Sequence, residues 1–253
     1  MRKGKPTLGT HVLSSWPTMV EVVGLTKAVD YVEFVSQYAP YDLYALENIA
    51  RAAELHDLTA MIKVDAEPRM YLAQRAIGSG FQSILFADLR TVKDVEDAIR
   101  VVRAEPKGWN GCSNERAEKL TYGGTREFVR YCDDVVVNIM IEKNSLYEKL
   151  EDVMNLDGVD MIQWGPCDFS MSKGLHGQYK NPAIVEAERK TIKMALKYDR
   201  HPRAEIGGSL PEFEKKLKWY TDQGVRDFCI GTDTGIIFNW VRDYGTLTRK
   251  SVA

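Results

Sequence analysis

The stretches VVVNIMIE (residues 135–142) and VDMIQWGPCD (residues 159–168) decide the fold. Each is an apolar run rich in large or β-branched side chains, the composition of a buried strand. One runs from Val135 to Ile141 and meets Glu142; the other runs from Val159 to Trp164 and meets Gly165. The segment Ser145 to Asn155 between them has a helical pattern, so the three pieces form a βαβ unit. Glu142 and Asp168 then lie at the C-terminal tips of two consecutive strands, the face that carries the chemistry in an α/β barrel. Two carboxylates converging there suit a hard divalent cation with open water positions. A lone glutamate at a strand end is ordinarily a solvated loop residue. Two acids at equivalent tips, the second opening a helix at Asp168-Phe169-Ser170, point to a shared site. The Gly165-Pro166 turn lets the backbone approach a ligand closely.

Working outward, strand-like and helix-like segments alternate along the whole chain. Val12-Leu13 precedes a helical stretch from Met19 to Lys27. Strand patterns at Tyr31–Val35, Thr59–Val64 and Ser83–Phe86 precede helices at Leu43–His56, Met70–Ile77 and Val92–Arg103. After a loop from Ala104 to Gly124 and the central βαβ unit come helices at Ala183–Lys197 and Pro211–Gln223. Glu205-Ile206 and Phe228-Cys229-Ile230 supply the last strands, and a final helical segment starts at Ile236. About eight β/α units in one chain are the pattern of a (β/α)₈ TIM barrel, an α/β fold. With no linker or composition break, residues 1–253 read as a single domain. A doubly wound sheet is the alternative, but no G-x-G-x-x-G follows the first strand.

The 253 residues are 44% hydrophobic and 28% charged, with a net charge of -2. That balance gives no reason to expect nucleic acid or an anionic membrane as partner. No apolar run approaches the roughly 18 residues of a membrane helix. The basic start, Met1 to Pro6, has no apolar segment behind it and does not read as a secretory signal. Cys112, Cys132, Cys167 and Cys229 show no metal-ligand spacing, and reduced thiols suit a cytoplasmic protein. His11, His56, His176 and His201 form no HxxxH or HExxH pattern.

Several motifs together carry a resemblance: AVDYVEFVSQYAPYDLYALENIARAAE (28–54), MIKVD (61–65), FADLRTVKDVEDA (86–98), GWNG (108–111), MIEKNSLYEKLEDVMNLDGVDMIQWGPCDFSMSKGLHGQY (140–179) and FCIGTDTGII (228–237). They resemble the HpcH/HpaI aldolases, metal-dependent class II pyruvate aldolases on a TIM barrel. The resemblance implies that Glu142 and Asp168 hold Mg²⁺, Mn²⁺ or Co²⁺, and that backbone amides of Gly165 and Cys167 hold the substrate carboxylate. It also implies a homo-oligomer, hexamer or trimer, built by exchange of C-terminal helices; Phe238, Trp240 and Tyr244 give this chain an aromatic tail compatible with that.

The chain also departs from the family pattern. Tyr38 stands where family members carry His, Lys63 where they carry Arg, Met140 where they carry Gln, and Asn110 where a loop carries Arg. Gln37 stands where an acid often orders metal-bound water, and could still hydrogen-bond that water. Lys63 closes an apolar strand; it either snorkels to solvent or acts as an electrophile beside the reacting oxygen. Tyr38 either packs at the barrel mouth or gives a proton, a role that its ordinary pKa near 10 favours. Asp42 reads as a helix cap, Met140 as packing, and Arg69 and Arg75 as solvated helix surface. Gly231 to Gly235 lies where barrels often meet anions.

The expected activity is a carbon–carbon lyase acting on a 4-hydroxy-2-oxo acid or related keto acid, releasing pyruvate or an analogue and an aldehyde. The replaced side chains keep two alternatives open. One is an enolate-forming decarboxylase or hydratase on an atypical keto acid; the other is a non-catalytic barrel that binds a small acid.

Overall fold

Eight parallel strands close into a barrel, each hydrogen-bonded to the next and β8 returning to β1. The strands are β1 (Thr7–Val12), β2 (Tyr31–Val35), β3 (Thr59–Val64), β4 (Ser83–Phe86), β5 (Val136–Ile141), β6 (Met161–Trp164), β7 (His201–Ile206) and β8 (Asp227–Thr232). This computed structural model describes residues 5–111 and 124–252. Met1 to Gly4, Cys112 and residues 113–123 of the long loop lie outside the described residues. The (β/α)₈ barrel expected from the alternating pattern is the fold observed.

Alternation along each strand sorts its side chains. Val32, Phe34, Ile62, Ile84, Phe86, Val137 and Ile139 face outward into the main core. That core also takes the apolar faces of α2 (Leu43–Leu55), α3 (Arg69–Ser79), α4 (Val92–Val102) and α9 (Pro182–Lys197). Tyr31, Met61, Leu85, Ala87 and Met140 form a second, smaller cluster inside the barrel. Helix starts follow side-chain chemistry. The Asp42 carboxylate accepts the Ala45 amide at 2.8 Å and caps α2, as expected. Thr91 and Asp94 form a capping box on α4. No helix among the described residues is long and apolar enough to cross a membrane.

Two elements differ from the sequence reading. β1 begins at Thr7 rather than near Val12, because Thr7, Gly9, Thr10 and His11 lack the apolar alternation of an ordinary strand. Gly9 is required there: a Cβ would lie 2.2 Å from Cε2 of the Tyr31 ring. The single helix expected over Ser145 to Asn155 is two short ones, α6 (Asn144–Tyr147) and α7 (Leu150–Met154). Lys149, between them, has φ -109° and ψ 21°, outside the helical range, and the break lets Leu146, Leu150, Val153 and Met154 all bury.

A polar pillar fills the rest of the barrel interior. Arg203 of β7 and Glu33 of β2 are fully buried and ion-paired through Arg203 Nη2 and Glu33 Oε2. Arg203 Nε donates to the Tyr31 hydroxyl at 2.7 Å, and Nη1 donates to Gln163 Oε1. The Tyr31 hydroxyl in turn donates to the Phe228 carbonyl at 2.8 Å. Gln163 Nε2 donates to Glu205 Oε1. Burial opposes ionisation of Glu33, but the Arg203 guanidinium and then His11 overcome it and hold the carboxyl at about 2.

Because Tyr31 is pinned at its hydroxyl, its ring cannot swing away from a new side chain at position 9. Gly9→Ala should therefore cost about 1–3 kcal/mol, the usual range for overpacking, read as a lower denaturant midpoint. Glu33→Leu should cost about 3–5 kcal/mol, because it leaves Arg203 buried and unpaired. The folded-state pKa of Glu33 lies below its ordinary 4.5. Its contribution is therefore complete above about pH 4.5 and is lost as pH falls through about 2. Denaturation curves over that window should show the loss in the parent chain and not in Glu33→Leu.

Candidate active site at the barrel mouth

Glu142 follows β5 directly and is buried. Its Oε1 accepts the Asp88 amide at 2.6 Å. Burial raises its pKa, and the negative charges of Asp168 and Asp88 add to that, while Lys63 opposes it. The β6 tip approaches it so closely that a Cβ on Gly165 would lie 2.6 Å from Glu142 Cβ and 2.9 Å from Oε2. Only glycine leaves that oxygen's surroundings open. Pro166 then opens α8 (Pro166–Ser172), with Asp168 in its first turn.

The two sequence-predicted metal acids are thus brought together at one end of the barrel, joined by two residues that the sequence reading had not singled out. Lys143 Nζ lies 2.7 Å from Asp168 Oδ1 and 2.5 Å from Asp88 Oδ1. Burial works against its charge, but its hydrogen bonds to the Asp168 and Asp88 carboxylates outweigh it and raise its pKa. Asp88 follows β4 with a left-handed φ of 57°, a strained conformation of the kind that gathers at functional sites. Its carboxylate also accepts from Gln37 Nε2 at 2.8 Å. The signals for both residues were positional: Lys143 adjoins Glu142, and Asp88 sits at another strand tip.

Gln37 and Tyr38 lie on a single 3₁₀ turn, Ser36–Tyr38. Lys63 at the tip of β3 is 7% exposed, with its ammonium 5.2 Å from the Tyr38 ring centroid. The Ser36 hydroxyl donates to the Lys63 carbonyl at 2.6 Å. Tyr38 is largely exposed, yet the burial of part of its ring raises its phenol pKa. Asp168, Glu142 and Asp88 add to the rise against the pull of Lys63, so the phenol keeps its proton.

Beside Lys63 lies a cavity of about 180 Å³, lined by His11, Glu33, Tyr38, Glu205 and Thr232 among others. Lys63 therefore stands between the acid cluster and the polar pillar. At His11, burial disfavours the imidazolium, but the Glu33 carboxylate reverses this and raises its pKa well above the ordinary value.

Other sequence-singled residues sit elsewhere. The Gly165 amide donates to the Ile141 carbonyl at 3.0 Å, so it is already engaged. Cys167 lies in the first turn of α8, its thiol 3.6 Å from the Tyr179 hydroxyl. Met140 packs inside the barrel. Asn110 is buried with its amide 3.7 Å from Cys132 Sγ. Arg69 pairs with Glu67 and Asp94. In the Gly231 to Gly235 segment, the Asp233 carboxylate takes the amides of Leu13, Ser14 and Thr234, so the helix start there already holds its own anion.

The acid cluster fits a hard cation. Three carboxylates (Glu142, Asp168, Asp88) face two ammonium groups (Lys63, Lys143), which leaves one negative charge over. All the acid donors are oxygen, and Glu142 Oε2 borders the space that glycine keeps free at position 165.

Several known proteins are similar to this chain. The hydroxypyruvate/pyruvate aldolase of Paraburkholderia phytofirmans is 24% identical over 99% of this chain and 92% of its own. The 4-hydroxy-2-oxo-heptane-1,7-dioate aldolase of Salmonella arizonae is 20% identical over 94% of this chain and 88% of its own. Among solved structures, an HpcH/HpaI aldolase from Desulfitobacterium hafniense superposes with a TM-score of 0.85 at 18% identity, covering 98% of this chain and 94% of that one. The HpcH/HpaI aldolase/citrate lyase family pattern matches residues 8–200. With three-quarters of its length matched and the acid pair seated at the barrel mouth, the chain belongs to the HpcH/HpaI aldolase/citrate lyase family, and is an enzyme of the lyase class.

Proposed function

We propose that this chain is a metal-dependent aldolase that cleaves a 4-hydroxy-2-oxo acid, or a related keto acid, to a pyruvate-like acid and an aldehyde. The observation that carries this reading is the acid pair Glu142 and Asp168, held around the side-chain-free Gly165. A divalent cation (Mg²⁺, Mn²⁺ or Co²⁺) held by Glu142 and Asp168 would supply Lewis-acid polarisation of the keto group.

The chain's own residues divide the remaining work. The Lys63 ammonium, largely buried and flanked by Tyr38, faces the negative charge that develops on the keto oxygen as the C3–C4 bond breaks, and stabilises it. Tyr38 keeps its phenol proton and donates from its hydroxyl. The Asp88 amide fixes Glu142, Gln37 fixes Asp88, and Lys143 fixes Asp168. Gln37 Oε1 is buried without a partner and would orient a water that carries the proton of the 4-hydroxyl. The Cys167 amide, in the first turn of α8, is the donor for the substrate carboxylate, with Gly165 contributing space.

We further propose a homo-oligomer, hexamer or trimer, in which a second copy covers the C-terminal helix α11 (Asp233–Val252). Only Asp233 of α11 is buried, and Ile236, Phe238, Trp240, Tyr244 and Leu247 are each more than half exposed. Next to it, apolar grooves of about 750 and 590 Å³ lie along β1, β8 and α10 (Leu210–Asp222), lined by Leu8, Ile206, Phe213, Leu217, Phe228 and Ile230. Exposed apolar surface on that scale marks an association face.

On a panel of 4-hydroxy-2-oxo acids with added metal, Glu142→Gln should abolish turnover while far-ultraviolet circular dichroism stays native. Lys63→Met should lower kcat about 10²–10³-fold, as loss of one stabilising donor does. Full activity in Glu142→Gln would remove the metal assignment. Light scattering on the full chain should give a multiple of the 28.7 kDa protomer, and Phe238→Glu with Trp240→Glu should reduce it to a monomer. A monomeric parent chain would overturn the assembly.

A further inference from the structure

Three neighbouring strands of the barrel, one of them from the far end of the chain, place an imidazole, a carboxylate and a thiol at one point inside the barrel. His11 comes from β1, Glu33 from β2 and Cys229 from β8, and one donor atom from each lies within 4.8 Å of the other two. His11 Nε2 is 3.5 Å from Glu33 Oε1 and 3.2 Å from Glu205 Oε1, neither contact aligned as a hydrogen bond. These separations match the ~3.3 Å edge of a tetrahedron with bonds of about 2.0 Å, the length that zinc makes to nitrogen and oxygen. Apart from these ion contacts, His11 Nε2 and Glu33 Oε1 are both buried without a hydrogen bond. Buried polar atoms are rarely left in that state. The second oxygen of Glu33 is meanwhile fixed by Arg203, the outer support that metal-binding carboxylates usually have.

We propose that His11, Glu33 and Cys229, with Glu205 as fourth donor, form a site for a borderline-soft divalent ion such as zinc or cobalt, distinct from the all-oxygen pair Glu142 and Asp168. Ligand softness separates the two sites: imidazole and thiolate select zinc or cobalt, while carboxylates alone suit magnesium or manganese. The entry path is the cavity beside Lys63, which His11, Glu33 and Glu205 line.

The test is a cobalt titration of the full chain after dialysis against a chelator, read by absorption and by metal content. The parent chain should show a thiolate-to-cobalt charge-transfer band and intensified visible bands of tetrahedral cobalt. Glu142→Gln should keep both, since it touches only the other site. Cys229→Ser should lose the charge-transfer band, and His11→Gln should lose the tetrahedral visible spectrum. A parent chain without the thiolate band, which requires no variant to fold, overturns the proposal. So does a band that disappears in Glu142→Gln and persists in Cys229→Ser.

Discussion

The ion pair between Arg203 and Glu33 is the constraint on which the rest of this barrel turns. Both groups sit at zero exposure in the middle of a parallel sheet, where an unpaired charge would be severely unfavourable. Satisfying them dictates the neighbours. Arg203 needs Tyr31 and Gln163 as further acceptors. Tyr31 then lies across β1 and leaves no space for a side chain at Gly9. Glu33, turned toward Arg203 by one oxygen, presents the other to His11. The interior of the barrel is therefore a polar pillar sharing Tyr31 with a small apolar cluster, where many barrels stack aliphatic layers.

Above the pillar, the mouth divides into two halves that share Lys63. On one side Glu142, Asp168 and Asp88 hold a surplus of negative charge around Gly165. On the other, His11, Glu33 and Glu205 line a small cavity. Lys63 reaches both, lowering the pKa of Glu142 and of Glu33 alike. A single ammonium on a four-carbon stem suits that bridging position better than a planar guanidinium, which would commit its fork to one carboxylate.

The frame of this molecule was readable in the chain because strand cores obey a simple period. Tyr31–Val35, Thr59–Val64 and Ser83–Phe86 carry enough aliphatic residues to declare themselves, and they match the observed strands. Glu142 and Asp168 were readable because each follows such a run immediately. β1 was obscured because its side chains serve the pillar and Tyr31 instead of an aliphatic core. The helix after β5 reads as continuous in the sequence because its apolar spacing holds across the break at Lys149. The pillar itself left no local trace: His11, Glu33, Gln163, Arg203, Glu205 and Cys229 sit on five different strands. Only closure of the barrel, which no short window of sequence records, brings them together.

Lys143 has a consequence for the life of the protein before it ever meets a substrate. Its ammonium already pairs with Asp168 and Asp88, so the mouth carries its own partial counter-charge. A divalent ion held by Glu142 and Asp168 would have to compete with this tethered ammonium for Asp168, a rivalry that favours reversible exchange over permanent capture.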